Sequence, residues 1–189
     1  DGLGVGDAAP ELSIDHWMKG DSFTELAGDK VYVIEFWATW CKPCIQAMPH
    51  LSDLQEKHAD DLVVVGVSDE PKEVVQGFLE RPGTAERMRY RVATDPDRSM
   101  HADFMDAARQ RGIPCSFIIG RDQKVHYIGH PMMMDKALER ALAGETPEAS
   151  DGESEMMSID FTEFDGEHDE AAGAWIAKME AAIGANRLT

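Results

Sequence analysis

The sequence predicts an α/β protein with a central mixed β-sheet flanked by helices. Two apolar runs, Val31-Tyr32-Val33-Ile34-Glu35-Phe36-Trp37 and Leu62-Val63-Val64-Val65-Gly66-Val67, read as buried strands. A segment of helical length separates them, which gives a βαβ unit. Two later runs, joined by the turn-forming residues 120–124, read as an antiparallel hairpin and make the sheet mixed.

Taken in order, residues 1–10 form a glycine-rich leader. Residues 12–17 are expected as a short strand and 22–26 as a helical turn, before residues 27–30 turn into the first apolar strand. Pro43 suits the first turn of a helix, where its missing N–H costs nothing. That helix is expected to run through Ile45, Met48, Leu51 and Leu54 to about His58, kinked at Pro49. After the second apolar strand, Ser68 or Asp69 is the expected cap of a helix over 71–80. Residues 81–91 are a basic connector, 92–94 a short strand, and Asp97 or Ser99 the start of a helix ending near Arg109. Gly112-Ile113-Pro114 turns into a strand over 115–119, and 125–129 returns antiparallel. Ala137, Leu138, Ala141 and Leu142 give the apolar face of a helix over 133–143.

Glycine, proline and acidic residues over 144–152 mark a boundary. The expected division is a domain over 1–146, with an N-terminal extension, and an acidic C-terminal appendage over 147–189. Met156, Met157, Ile159, Phe161 and Phe164 give that tail more apolar content than solubility requires. A helical stripe of Trp175, Ile176, Met179 and Ile183 completes the case for partial docking on the main body.

The 189 residues suffice for one substantial core, and their formal net charge of −18 argues against nucleic acid or an anionic membrane as partner. The acidity is uneven: from residue 151 onward, ten acidic residues face only Lys178 and Arg187. Three cysteines are too few for a disulfide-stapled scaffold. There is no apolar run long enough for a transmembrane helix and no visible signal peptide, while the chain starts at Asp1 without a methionine.

The chemistry concentrates in Trp40-Cys41-Lys42-Pro43-Cys44, directly after the first apolar strand. A Cys-x-x-Cys pair at a strand-to-helix junction reads as a dithiol–disulfide site, and Cys115 is the one further cysteine. Cys41, at an exposed helix N-terminus, is the expected nucleophile, because unpaired N–H groups and the helix field favour a thiolate. Cys44, one turn in and more buried, is the expected resolving thiol. Lys42 adds positive charge, Pro43 restricts the loop, and Trp40 offers an apolar contact surface for a partner. Trp37 reads as core. Glu35 interrupts an otherwise apolar strand, and a buried carboxylate needs a role or a partner such as Lys30 or Lys124. Cys115 is a small core side chain or an auxiliary thiol.

With these motifs placed, the chain resembles the thioredoxin superfamily, and more narrowly the extracytoplasmic thiol–disulfide oxidoreductases of the TlpA/ResA type. The likeness rests on Gly20, Gly28-Asp29-Lys30, the block from Glu35 to Cys44, Met48-Pro49, Gly112-Ile113-Pro114 with the strand after it, and Val125 with Gly129. It covers about residues 8–143. It implies a thioredoxin-like fold and a redox-active Cys41–Cys44 disulfide, with no other cofactor and no metal. It further implies reduction of disulfides in a protein client, as in cytochrome c maturation, and recharging by a membrane-bound electron donor. The implied location is periplasmic or otherwise extracytoplasmic, with a membrane tether before processing as one form. Glu35 matches the buried acid that exchanges a proton with the second cysteine. Pro114 matches the family's cis-proline, and the Ile113 backbone would pair with the client.

Two other activities compete with this reading. A copper-binding or metallochaperone module would draw on Cys41, Cys44, His126, His130 and the run Met132-Met133-Met134. A thiol peroxidase of the resembling type would place Thr or Ser three residues before its attacking cysteine, where this chain has Ala38.

Overall fold

The computed structural model describes residues 2–147; the acidic tail beyond them, with its proposed docking stripe, lies outside the described residues. Six strands form one mixed sheet in the order β1-β4-β3-β2-β5-β6. They are β1 (His16–Lys19), β2 (Val31–Phe36), β3 (Leu62–Ser68), β4 (Arg91–Thr94), β5 (Cys115–Ile119) and β6 (Val125–Gly129). β2 runs parallel to β3 and antiparallel to β5, so the apolar run that carries Glu35 occupies the middle of the sheet. β3 pairs parallel with β4, while β1 and β6 close the two edges antiparallel.

Alternation along β2 divides the interior into two cores. Val31, Val33 and Trp37 face α1 (Lys42–Lys57), where Cys44, Met48 and Leu51 meet them. The same face takes Val75 and Phe78 of α2 (Lys72–Leu79). Tyr32, Ile34 and Phe36 point the other way, against Met100, Phe104, Met105 and Phe117. Leu3, Leu12, Ile14 and Trp17 of the N-terminal segment pack on that second core. Each fully buried large apolar side chain contributes about 1.5–3 kcal/mol.

Several local expectations are corrected. The first strand lies at His16–Lys19 rather than over 12–17, since Ile14 and Leu12 serve as packing residues outside the ladder. Residues 22–26 form no helical turn. α1 runs unbroken past Pro49, an exposed position where the missing N–H forfeits one backbone bond without ending the helix. Neither Ser68 nor Asp69 caps α2: its N-cap is Pro71, and the Ser68 hydroxyl donates to Glu70 instead. The connector contains α3 (Thr84–Arg87). The helix expected to reach Arg109 is α4 (Ser99–His101), continued by a π-helical turn (Ala102–Asp106). Its start is held by Asp95, whose carboxylate accepts the N–H groups of Met100 and His101. The last helix, α5 (Asp135–Leu142), begins later than expected because Pro131–Met133 forms a separate 3₁₀ turn.

Candidate active site

β2 delivers the chain to the site, and a tight turn presents the cysteines. The Cys41 N–H bonds the Ala38 carbonyl at 3.2 Å, closing a turn over Thr39 and Trp40. Cys41 is the N-cap of α1, and its Sγ accepts the Cys44 N–H at 3.3 Å. Pro43 occupies the first helical turn, where no backbone bond is lost. Cys41 and Cys44 are joined as a disulfide with their Cα atoms 5.2 Å apart. Cys41 departs from the exposed position expected of it: in the disulfide form both cysteines are buried, because Cys41 Sγ turns toward the Ile113 carbonyl oxygen, 3.8 Å away. Lys42 and Pro43 are exposed, and Trp40 is 75% exposed beside them.

The opposite wall is the start of β5. The Ile113–Pro114 peptide bond is cis, and the Ile113 carbonyl faces Cys41. The fold thus gathers Trp40, Cys41, Lys42, Pro43, Cys44, Ile113 and Pro114 at one end of the sheet. Cys115 follows immediately but faces away: it belongs to the core with Phe36 and Phe117, not the one with Cys41 and Cys44. Burial, and then the Glu35 charge, push its thiol up to about 12 against a backbone bond from Gly129, so it is a poor nucleophile at neutral pH.

Glu35 lies on the same face of β2 as Val33 and Trp37, beneath the disulfide-bearing helix. It is 1% exposed, and burial raises its carboxyl well above the usual range. Neither carboxyl oxygen has a hydrogen-bond partner. The alternative of a lysine partner is not met: Lys30 bonds the Asp60 carbonyl at 2.6 Å, and Lys124 provides no bond to the carboxyl. Such an unpaired buried group costs the fold about 1–3 kcal/mol.

Two groups of residues near the site escaped the sequence reading. Glu70 accepts the Thr39 N–H and the Thr39 hydroxyl, both at 2.7 Å, and so pins the turn before Cys41. Ser68 anchors Glu70 in turn at 2.8 Å. Tyr90, Ser116 and the Trp37 indole line the neighbourhood of Glu35, each with a buried polar atom that lacks a partner. The one legible signal was Ser116, a hydroxyl inside an apolar strand. Tyr90 sat in an irregular connector, and Glu70 reaches Thr39 only through tertiary folding.

The soft-ligand set does not assemble. His126 bonds Asp122 at 2.8 Å at the hairpin end of β6, while His130 lies beyond its other end and accepts the Met132 N–H. Met132 and Met134 are buried in the body. Among the described residues, no group of three or more His, Cys, Asp or Glu side chains is arranged to hold a metal.

A Cys-x-x-Cys disulfide that starts at a helix N-cap, set against a cis-proline strand on a mixed sheet, defines a thiol–disulfide oxidoreductase of the thioredoxin superfamily. The chain belongs to the AhpC/TSA family, whose model matches residues 5–128. It is 30% identical over 148 residues to the thiol:disulfide interchange protein HelX of Rhodobacter capsulatus, covering 74% of this chain and 78% of HelX. It is 28% identical over 150 residues to the thiol–disulfide oxidoreductase ResA of Geobacillus kaustophilus, covering 77% and 80%. Among solved structures, a putative thiol:disulfide interchange protein DsbE from Chlorobium tepidum superposes with a TM-score of 0.59 at 25% identity, over 74% of this chain and 99% of that one.

Proposed function

We propose that this oxidoreductase works outside the cytoplasm as a reductant of protein disulfides, with Cys41 as attacker and Cys44 as resolver. The likeness to HelX, ResA and DsbE supports the exchange chemistry and a location outside the cytoplasm. The observation that carries the reading is the placement of Cys41 Sγ 3.8 Å from the Ile113 carbonyl, beside the exposed Trp40. An extended client strand laid along Ile113 brings its disulfide to Cys41 in that geometry.

In the reduced protein the Cys41 thiolate attacks one client sulfur. The client disulfide breaks, a mixed disulfide forms, and the released client thiolate takes a proton from solvent. Cys44 then gives its proton to the Glu35 carboxylate, and its thiolate attacks Cys41 Sγ. The second client thiolate leaves, Cys41–Cys44 closes, and two electrons have passed to the client. Glu35 ends neutral, the form that its burial favours. A membrane-bound donor returns two electrons to the disulfide. The peroxidase alternative finds buried Ala38 where a hydroxyl is needed, and the Thr39 hydroxyl is committed to Glu70.

Insulin reduction, combined with titration of the Cys41–Cys44 pair in redox buffers, tests the proposal. Turnover with a strongly reducing midpoint is expected; a midpoint near about −120 mV, typical of an oxidant, overturns the direction. Fast peroxide consumption that disappears in Cys41→Ser would transfer the site to peroxidase chemistry.

A further inference from the structure

Glu35 sits between two unlike neighbours in the sheet. On β5 it is paired with Ser116 in antiparallel register, so their side chains share a face, with Cβ atoms about 4.5–5.5 Å apart. On β3 its partner is Gly66, which has no side chain. Two rings occupy the space over Gly66: a Cβ placed there would lie 3.0 Å from Trp37 Nε1 and 3.3 Å from Tyr90 Cε2. The absent side chain at Gly66 therefore brings an indole N–H and a phenol ring in beside a carboxyl group.

All three polar neighbours are buried, and Ser116 Oγ, Trp37 Nε1 and Tyr90 OH have no hydrogen-bond partner. Each of them can donate a hydrogen bond, and the charged carboxylate, which only accepts, has the greater need of donors. Four unpartnered polar groups gathered on one face of the sheet are costly for a core whose only task is packing.

We propose that Tyr90 and Ser116, together with the Trp37 indole, are positioning residues that donate hydrogen bonds to Glu35 when it is charged. This rests on the reading of Glu35 as the group that takes the Cys44 proton, and it supplies what that reading lacks. Among the described residues no cation offsets the burial that raises the Glu35 carboxyl. Donors fill that need without neutralising the base. The titratable groups that feel the Glu35 charge are Tyr90, ahead of β4, and Cys115 on β5; both are pushed up first by burial and then by Glu35. α1 contributes Cys44, which titrates only after the disulfide opens, and β3 contributes Gly66.

The test is ¹³C NMR titration of the Glu35 carboxyl in the full chain, with Glu35→Gln assigning the resonance. Tyr90→Phe and Ser116→Ala are compared with wild type, with circular dichroism confirming that each is folded. The proton affinity of Glu35 is expected to rise about tenfold in Tyr90→Phe and several-fold in Ser116→Ala, since each loses a donor to the charged form. The pH profile of disulfide exchange moves upward by the same factor. If neither variant moves the Glu35 titration, the proposal is overturned. If the titration moves while the exchange profile stays fixed, the donor set stands and the proton-transfer reading of Glu35 fails.

Discussion

Glu35 couples stability to chemistry through its own proton. Its folded pKa lies above the unfolded value of about 4.3, so the native state binds more protons than the unfolded chain between the two. Its share of stability is therefore full below that unfolded value and lost as pH rises toward the folded one. Glu35→Gln lacks this loss. Urea unfolding between pH 4 and 8 is expected to show the variant gaining on wild type by about 1.4 kcal/mol per pH unit within that window; parallel curves would refute it. The cysteines give a second residue-level prediction. Cys44→Ser is expected to accumulate mixed disulfides with clients and Cys41→Ser far fewer, by non-reducing mass spectrometry. Adding Cys115→Ser to Cys44→Ser leaves the trapped yield unchanged, because Cys115 belongs to the opposite core. A raised yield would mean that Cys115 reaches the mixed disulfide.

At the scale of elements, what matters is how each helix is started. α1 begins on Cys41, and the turn before it is held by Glu70 through two bonds to Thr39. Glu70→Ala removes both and is expected to cost about 1–2 kcal/mol in denaturant unfolding, against roughly half that for Thr39→Val, which keeps the backbone bond. Equal losses in the two variants would deny the backbone contact its share. The start of α4 is held by Asp95, which also accepts from His101 Nδ1 at 2.7 Å inside the second core. Burial pushes the Asp95 carboxyl up, but the His101 side-chain and backbone bonds, with that of Met100, outweigh it and leave it lowered. The stability it adds is thus present above the ordinary aspartate value of about 3.9 and lost as pH falls through the lower folded value. The advantage of wild type over Asp95→Asn, about 1–3 kcal/mol at neutral pH, is expected to vanish in strong acid. Comparing urea midpoints down to pH 2 checks this, and an advantage that persists there contradicts it.

For the whole molecule the governing quantity is the net charge of −18. It repels acidic clients and attracts basic ones over a Debye length of about 8 Å at physiological salt. Exchange with a basic disulfide peptide is expected to slow severalfold between 20 and 300 mM salt, while an acidic peptide of equal length speeds up. Stopped-flow rates for the two peptides decide it; identical salt dependence would mean that local charges at the site, such as Lys42, outweigh the field of the whole chain.

Sequence by itself determined the layout and the reactive pair. β2 and β5 fall where their apolar runs put them, because a buried strand needs an uninterrupted stretch of such residues. Cys41 and Cys44 were legible because one helical turn brings positions three apart together. Short elements were less legible: β1 slid toward Lys19, and α4 gave way to a π-helical turn, since a few residues of propensity yield to the packing they meet. Only the tertiary structure decided which face each side chain took and what stood opposite it. Cys115 is adjacent to Pro114 in sequence yet turned from the disulfide, because strand alternation sends neighbours to opposite cores. Glu70 reaches Thr39, and Tyr90 is brought beside Glu35 over Gly66, through contacts between segments far apart in the chain. Such pairings are set by register between strands and packing between layers, which no local pattern of residues encodes.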